Sequence, residues 1–289
     1  MTRVDAHHHL WPDPSPADYP WMTDDLAAIR RPFTTTDLVP LLAANRIDRT
    51  VLVQTRASLD ETATFLATAA VTPFIAGVVG WVDLTAPDVS ETIQRLRFLP
   101  GGDRLVGIRH QVHDEDDPDW LGRADVRNGI AAVGRAGLVY DLLVRARELP
   151  AARALVGALP EVRFVVDHLA KPTIRAGSDP AWTAAVATFR GLPNVWWKLS
   201  GLVTEADWRT WQPVQIQPFV DELIDVAGPD RLLFGSDWPV CLLAAGYIDV
   251  LATARSLIAG LSPTEQAAVL GETARTVYRL DTDPSRPPA

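Results

Sequence analysis

Two histidines near the start of the chain, His7 and His9, are separated by one residue in an apolar segment that begins at Val4. If this segment is a β-strand, residues two apart point to the same face, so both imidazoles reach one space while His8 faces away. Imidazoles so placed can bind a metal ion or hydrogen-bond a carbonyl oxygen. A tag remnant or a locally bonded pair is the alternative, but histidines embedded in an apolar strand after Asp5 do not resemble a tag.

A third histidine and an aspartate end two later apolar runs. His168 follows Phe-Val-Val-Asp, and Asp237 follows Leu-Leu-Phe-Gly-Ser. A carboxylate at the end of a strand can take a proton from an attacking water. The alternatives are a purely structural histidine and an aspartate that caps the next segment. We predict that His7, His9, His168 and Asp237 form one catalytic set, and that the same four residues are the ligands if a metal is bound.

Short apolar runs recur along the chain and alternate with longer segments of helical spacing. Several runs are rich in Val, Ile, Phe and Trp, as strands buried on both faces are. The predicted strands are 4–9, 50–55, 74–82, 105–112, 138–144, 163–169, 195–200 and 232–236. Eight parallel strands with helices between them close a (β/α)8 TIM barrel, which typically takes about 250 residues. The alternative is an open doubly wound sheet, but His-His-His-Leu-Trp stands where that fold often has its Gly-rich phosphate turn.

The segments between the strands have apolar residues at helical spacing. The predicted helices are 36–44, 61–70, 89–98, 125–136, 150–159, 181–189, 216–226, 247–259 and 264–278. The last one begins at Ser262-Pro263-Thr264-Glu265, a capping box with proline in the first turn. We predict one α/β domain over residues 1–280, with a C-terminal helix, and an extended tail over residues 281–289.

Further polar and aromatic residues fall near the predicted mouth of the barrel. Arginine can grip a carboxylate or hydroxyl with a forked hydrogen bond, and tryptophan can stack on a sugar ring. The predicted substrate-binding residues are Arg109, His110, Arg56, Trp21, Trp81 and Lys171. Ion pairs at strand ends and aromatic core packing are the alternatives for these residues. The sole cysteine, Cys241, is interpreted as a small buried apolar residue.

The overall composition excludes several classes of partner. The chain has 289 residues and a formal net charge of −9, which disfavours nucleic acid and anionic membrane surfaces. The first apolar segment is interrupted at once by Asp5 and the histidines, so we expect neither a signal peptide nor a membrane span there. With one cysteine and hence no intrachain disulfide, we predict a cytoplasmic protein. The sequence makes no prediction of oligomeric state.

Seven motifs in order along the chain carry a family resemblance. They are Asp5-Ala6-His7-His8-His9-Leu10-Trp11, Tyr19-Pro20-Trp21-Met22, Gly80-Trp81-Val82-Asp83-Leu84, Gly107-Ile108-Arg109-His110, Asp167-His168-Leu169-Ala170-Lys171-Pro172, Lys198-Leu199-Ser200-Gly201-Leu202 and Gly235-Ser236-Asp237-Trp238-Pro239. Together they resemble the lactonase branch of the amidohydrolase superfamily, which includes L-fuconolactonase, L-rhamnonolactonase, sulfomuconolactonase and pyrone-dicarboxylate lactonase. The resemblance runs from about residue 3 to about residue 250, and its specificity lies in the order and spacing of the motifs.

This resemblance implies hydrolysis of a sugar-acid lactone by a water that Asp237 deprotonates. His7, His9 and His168 would polarise the carbonyl oxygen or hold a metal that does so. Many members of the superfamily complete a metal centre with a lysine on the fourth strand or a histidine on the fifth. Here the fourth strand offers Arg109 and His110 instead, and the fifth has no histidine. We therefore expect no binuclear centre, and either no required cofactor or one divalent metal, with zinc the first choice.

Two other functions stay open at this stage. One is a metal-dependent decarboxylase or hydratase on the same barrel, because such relatives use the same His-x-His pair and late aspartate. The other is a non-catalytic barrel that binds sugars, which would have no need of a general base. The predicted partner in the favoured reading is a small lactone.

Overall fold

Eight short parallel strands follow one another in chain order around a barrel. The computed structural model describes residues 2–15 and 17–280. Strands β1 to β8 span Val4–His8, Arg49–Val53, Ile75–Gly80, Leu105–His110, Val139–Leu142, Arg163–Val166, Val195–Leu199 and Leu232–Phe234. Each strand pairs in parallel with the next one in the sequence. The predicted (β/α)8 architecture is confirmed, and the strands end one to three residues before most of the predicted boundaries.

The ring closes through the backbone just beyond β8. The amide of Asp237 donates to the carbonyl of His7 at 2.8 Å, and the amide of His9 donates to the carbonyl of Trp238 at 2.7 Å. The first and the last motifs of the barrel are therefore hydrogen-bonded to each other. This closure places the aspartate directly beside the histidine pair.

Helices occupy the connections and pack around the outside of the strands. Helices α1 to α11 span Thr35–Asn45, Leu59–Val71, Val89–Arg97, Ala124–Arg135, Leu149–Ala158, Pro180–Ala187, Leu202–Glu205, Pro213–Ala227, Tyr247–Leu257, Pro263–Ala267 and Thr273–Tyr278. The predicted capping box is present: the Ser262 side chain accepts from the Glu265 amide, and the Glu265 carboxylate accepts from the Ser262 amide. Such reciprocal bonds satisfy amides that the first turn of a helix leaves free.

The predicted last helix is interrupted in its middle. A π-helical turn, Ala268–Glu272, separates α10 from α11. A Cβ added to Gly271 would lie 2.2 Å from the carbonyl oxygen of Thr2, so only glycine allows this close approach to the N-terminal segment. Tertiary contact, rather than helix propensity, therefore decides the path of the chain here.

Apolar side chains form an inner and an outer core. The inner core lies inside the ring and contains Val4, Ala6, Val51, Val53, Val79, Val139, Val165 and Leu233, with Ala274, Val277 and Tyr278. The last three belong to α11, which therefore packs against the residues inside the barrel. The outer core is larger and lies between the strands and the helices. Apolar packing of this kind leaves the carboxyl ends of the strands for polar chemistry.

An irregularity in β1 gives the two histidines their common direction. Val4 and Ala6 belong to the inner core, so strict alternation would also turn His8 inwards. The pairing of β1 with β2 shifts between Asp5 and His8, which is the signature of a β-bulge. Beyond this bulge His7 faces the interior and His8 bonds to Thr50, with 2.9 Å between Nε2 and Oγ1.

Within the described part of the chain, no helix is both long enough and apolar enough to cross a bilayer. The predicted tail, residues 281–289, lies outside the described residues.

Candidate active site

The four residues predicted to act together meet at the carboxyl ends of β1, β6 and β8. The carboxylate atom Asp237 Oδ1 lies 3.4 Å from His9 Nε2, 3.7 Å from His7 Nε2 and 3.9 Å from His168 Nε2. The imidazoles of His7 and His9 are also in contact, with 3.2 Å between their Nε2 atoms. One aspartate oxygen is therefore surrounded by three ring nitrogens in a single small space.

Left-handed backbone conformations set the direction of two of these side chains, His168 and Asp237. His168, Leu169, Ala170 and Lys171 all have φ between 51° and 60°, and Asp237 has φ 57°. Residues other than glycine avoid this left-handed region because their Cβ crowds the following carbonyl oxygen. The conformation costs about 1–2 kcal/mol for each such residue. Such conformations persist where the surrounding structure enforces them, and they concentrate at functional sites.

Each of two imidazoles is oriented by a hydrogen bond on its far side. His9 Nδ1 lies 2.8 Å from the carbonyl oxygen of Val53. A carbonyl can only accept, so His9 carries a proton on Nδ1, and its Nε2, when the ring is neutral, presents a lone pair to the site. His168 Nδ1 lies 2.8 Å from Ser200 Oγ, a hydroxyl that can donate or accept.

Burial keeps the imidazoles of His7 and His168 uncharged, and neighbouring groups keep the Asp237 carboxylate ionised. Burial lowers the pKa of His168 from 6.5 to about 4, and together with Lys198 it lowers the pKa of His7 well below 6.5. Burial alone would raise the pKa of Asp237, but His168, His9 and Lys171 bring it below its ordinary value. At neutral pH the site therefore offers the neutral rings of His7 and His168 and a negative carboxylate, the state required of a base.

Three of these residues form a candidate site for a single metal ion. Ligand atoms of His7, His168 and Asp237 all lie within 4.8 Å of one another. A tetrahedral zinc with ligands at about 2.0–2.1 Å sets its ligand atoms about 3.3–3.4 Å apart, close to the separations between His9 and its neighbours. Neutral imidazoles and an ionised carboxylate are also the forms that ligate metal. The residues present therefore fit one divalent ion.

A cleft of about 390 Å³ opens directly above this cluster. Its lining includes His9, His168 and Asp237, which contribute the polar floor. Three of the predicted substrate-binding residues also line it, namely Trp21, Arg109 and Lys171. Leu26, Leu143, Val240 and Leu243 add apolar surface to the walls.

The other three predicted substrate-binding residues lie to one side. Arg56 and His110 line an adjoining cavity of about 500 Å³ that shares Trp21 with the cleft. Among the described residues, Trp81 is in the lining of neither cavity, and its Nε1 donates to His110 Nδ1 at 3.0 Å. Arg56 forms an ion pair with Asp18 at 2.6 Å.

Arg109 and Lys171 are both engaged by other protein groups. Arg109 is 3% exposed, and it donates to Asp167 at 2.8 Å and to the Gln54 side chain at 3.2 Å. Lys171 pairs with Glu205 at 2.5 Å. Arg109 therefore lies at the base of the cleft, and Lys171 lies in its wall. Cys241 is fully buried.

Sequence reasoning missed a buried group of charges below the imidazoles. Lys198, Asp141 and Asp167 are all 0% exposed, and the Lys198 ammonium lies 2.6 Å from Asp141 and 2.9 Å from Asp167. A usable signal was present, because charged residues within apolar strand runs must be paired when the barrel buries them. Arg145, which lines the cleft after β5, was missed as well.

Comparisons with known proteins agree with the barrel fold. The profile of the family described as amidohydrolase matches residues 4–280. An L-fucono-1,5-lactonase of Burkholderia multivorans is 40% identical, with 96% of each chain covered, and one of Burkholderia ambifaria is 38% identical, again with 96% of each covered. A crystal structure of a Burkholderia multivorans amidohydrolase with bound zinc superposes with a TM-score of 0.92 at 38% identity, covering 96% of this chain and 99% of that one. This chain belongs to the amidohydrolase family.

Proposed function

We propose that this enzyme hydrolyses a sugar-acid lactone, an aldono-1,5- or aldono-1,4-lactone, to the open-chain acid. The observation that carries the proposal is the convergence of one carboxylate oxygen and three imidazoles within 3.9 Å at the floor of a cleft. The names of the Burkholderia relatives support the same substrate class, and L-fucono-1,5-lactone is the first compound to test.

In the proposed reaction Asp237 is the general base. It takes one proton from a water as the water oxygen attacks the lactone carbonyl carbon. The carbonyl oxygen becomes an oxyanion, which hydrogen bonds from the neighbouring imidazoles stabilise. The tetrahedral intermediate then collapses, the bond from the former carbonyl carbon to the ring oxygen breaks, and Asp237 returns the proton to that oxygen. Water is consumed, and the product carries one new carboxyl and one new hydroxyl group.

The protonation states in the site suit these roles. His9 Nε2 and Asp237 Oδ1 both present lone pairs 3.4 Å apart, so they can accept the two hydrogens of one water. The Nε2 atoms of His7 and His168 lie 3.7 Å and 3.9 Å from the same carboxylate oxygen, and in this proposal they face the carbonyl oxygen of the lactone.

When a divalent metal is bound, His7, His9, His168 and Asp237 would hold it. The ion would supply Lewis acidity for the carbonyl and a more acidic water. A lactone is more reactive than an amide, so a base and hydrogen-bond donors are sufficient in principle. We therefore propose that one zinc can bind and that turnover does not require it.

The cleft has the size and the lining for one sugar ring. Its volume of about 390 Å³ exceeds that of a monosaccharide lactone, and its wall carries both hydrogen-bonding groups and the indole rings of Trp21 and Trp208. Flat aromatic faces pack on the C–H face of a sugar. Gln111, Thr204 and Arg145 provide polar partners for hydroxyl groups.

The test is a screen of the purified protein against sugar-acid and muconic lactones, with a pH indicator that reports the released acid. We expect turnover of an aldonolactone, its loss in Asp237→Asn, and nearly unchanged affinity of that variant for the substrate. Asp230→Asn is the matched control, because Asp230 is an exposed aspartate just before β8. Turnover that survives Asp237→Asn would show that Asp237 is not the base.

Two rival functions give different results in the same screen. A decarboxylase or hydratase would release no acid from any lactone and would act on a carboxylated aromatic or muconate-like compound only with metal. A sugar-binding barrel would bind lactones without turning any over. We also propose a cytoplasmic location, which the buried, unpaired Cys241 supports.

A further inference from the structure

Lysine is rare in this chain, and one lysine lies under the active site. Only two of the 27 basic residues are lysines, Lys171 and Lys198. Lys198 is completely buried in β7 and lies next to His7 on the side away from the cleft. A lysine carries a compact ammonium that can donate in three directions, whereas an arginine carries a planar fork. A lysine ammonium therefore suits this position if its acceptors lie in separate directions.

Three acceptors surround the Lys198 ammonium. It donates to Asp141 Oδ2 at 2.6 Å and is paired with Asp167 Oδ1 at 2.9 Å. Its third neighbour is His7 Nδ1, at 3.1 Å. An ammonium between two carboxylates has protons to give and no lone pair, so it must be the donor to His7 Nδ1. A ring nitrogen that accepts this bond carries no proton.

A second hydrogen bond, on the opposite side of the His7 ring, leads to the same assignment. His9 Nε2 bears a lone pair because His9 Nδ1 donates to the carbonyl of Val53. The contact of 3.2 Å between His7 Nε2 and His9 Nε2 is then a hydrogen bond only if His7 donates. Arg109 Nη1, which can only donate, lies 3.4 Å from the same His7 Nε2, but it already donates to Asp167 at 2.8 Å, so the shorter contact with His9 decides the assignment.

From this geometry we infer that Lys198 is a positioning residue that holds His7 as the tautomer protonated on Nε2, so that His7 presents an N–H donor to the cleft. In the ligand-free site this N–H donates to His9, and within the proposed lactonase reaction it donates instead to the carbonyl oxygen that becomes the oxyanion, which leaves the His9 lone pair for the water. Donation from Lys198 and ligation of a metal by His7 Nε2 exclude each other, because a ligating nitrogen must carry a lone pair.

The structure also contains the partner for the other tautomer. Asp167 Oδ1 lies 3.4 Å from His7 Nδ1, and its only closer cation is the Lys198 ammonium at 2.9 Å among the contacts of the described residues. If Lys198 were removed, this oxygen could accept a hydrogen bond from a protonated His7 Nδ1. His7 would then resemble the metal-ligating histidines that are oriented by a carboxylate. Lys198 therefore determines whether His7 Nε2 is a hydrogen-bond donor or a nitrogen that can bind a metal.

Removing Lys198 alone would leave two buried carboxylates facing one cation, Arg109. A buried charge without compensation is strongly destabilising, so Lys198→Met by itself could prevent folding. The double variant Lys198→Met/Asp141→Asn removes one positive and one negative charge and leaves the pair of Arg109 and Asp167 intact. Asp141→Asn alone is the matched control, because it changes the same network and keeps the lysine.

The experiment is a nitrogen NMR measurement of histidine tautomers at pH above 7, without substrate, on protein labelled with 15N in its histidines. The His7 signals are identified by their absence in His7→Asn. His110 is an internal reference, because Trp81 donates to its Nδ1 and its Nε2 contacts Glu115 at 2.7 Å, so it is also protonated on Nε2. We expect the Nε2-protonated form of His7 in the wild type and in Asp141→Asn, and the Nδ1-protonated form in the double variant.

Two further readouts separate this role from a merely structural one. Zinc affinity, measured by calorimetry, should rise about 10-fold or more in the double variant, the size of effect that partners of metal ligands usually have. On a lactone that the wild type turns over, metal-free kcat should fall about 100-fold with little change in KM.

A His7 protonated on Nδ1 in the wild type would overturn the inference, and so would an unchanged tautomer in the folded double variant. Both results are independent of any substrate. Failure of the lactone screen would therefore leave the tautomer assignment in place.

Discussion

Gly201 occupies the position at which any side chain would press on the ring of His168. A Cβ built on Gly201 would lie 2.6 Å from His168 Nδ1, the atom that bonds to Ser200. Gly201 also has φ +66°, in the left-handed region. The Ser-Gly sequence after β7 therefore supplies a hydrogen-bond partner for the imidazole and the space in which the ring lies.

Gly201→Ala should displace the His168 ring and impair catalysis. A catalytic group displaced by about 1 Å can cost about 100-fold in rate, so we expect a fall of that order in kcat/KM. Gly191→Ala is the matched control, since Gly191 has φ +80° and no atom within 4 Å of an added Cβ. Both variants carry the backbone cost, and only Gly201→Ala meets His168. Equal kinetics in the two variants would contradict the role given to Gly201.

The stability of the enzyme should fall between pH 6.5 and pH 4 because His168 is buried in its neutral form. The unfolded chain takes up a proton below the ordinary pKa of 6.5, whereas folded His168 does so only near 4. Its contribution is therefore fully present above pH 6.5 and is lost as the pH falls through this window. At about 1.4 kcal/mol per pKa unit, the loss is about 3 kcal/mol.

Urea unfolding of the wild type and His168→Asn at several pH values measures this contribution. Other groups titrate in both proteins, so the difference between their free energies of unfolding isolates the histidine. We expect that difference to shift by about 3 kcal/mol in favour of the variant between pH 7 and pH 4. Parallel curves would show that His168 is not held neutral in the folded state.

Arg145 should contribute to substrate binding more than to the chemical step. It lines the cleft, is exposed, and its side chain has no hydrogen bond or ion pair among the described residues, so it is available to a ligand. Arg145→Gln should raise KM about 10-fold with kcat nearly unchanged, as expected for loss of one charge-assisted hydrogen bond. Arg127→Gln, on the exposed face of α4, is the control. An unchanged KM would remove Arg145 from the binding site.

Chelation should leave most of the lactonase turnover intact. The proposed base and donors are side chains of the chain itself, and the bond from Lys198 to His7 opposes ligation by His7. Added zinc should lower turnover, because it would occupy the lone pairs of Asp237 and His9 that hold the water. Initial rates and metal content are measured before and after dialysis against a chelator. Turnover that disappears with the metal and returns with zinc would contradict this expectation.

The sequence predicted the barrel because each strand is a short apolar run and the segments between the strands have apolar residues at helical spacing. It also predicted the meeting of His7, His9, His168 and Asp237, since all parallel strands end on one side. The reason for the common direction of the histidine pair was different, however. Simple alternation from Val4 would have turned His8 inwards, and only the bulge in β1 corrects this. Bulges depend on pairing with a neighbouring strand, which one strand's sequence does not specify.

Side-chain directions at the mouth were beyond the sequence for the same reason. Arg109 and His110 are neighbours, and the structure turns the first into the barrel and the second towards Trp81 and Glu115. Lys198 was visible as a charge in an apolar strand, but its acceptors come from β1, β5 and the segment after β6. Only the closed ring brings them together.

The backbone bonds between His7 and Asp237 also determine when a newly made chain acquires its reactive centre. Residue 7 emerges from the ribosome at the start of synthesis, but its partner follows only after 229 further residues, and α11, which packs against the inner core, comes later still. Translation that stops early therefore yields a fragment without the carboxylate that activates water. Any incomplete copy that includes all four residues but lacks α11 would also leave the inner apolar layer exposed, where a chaperone or a protease could recognise it.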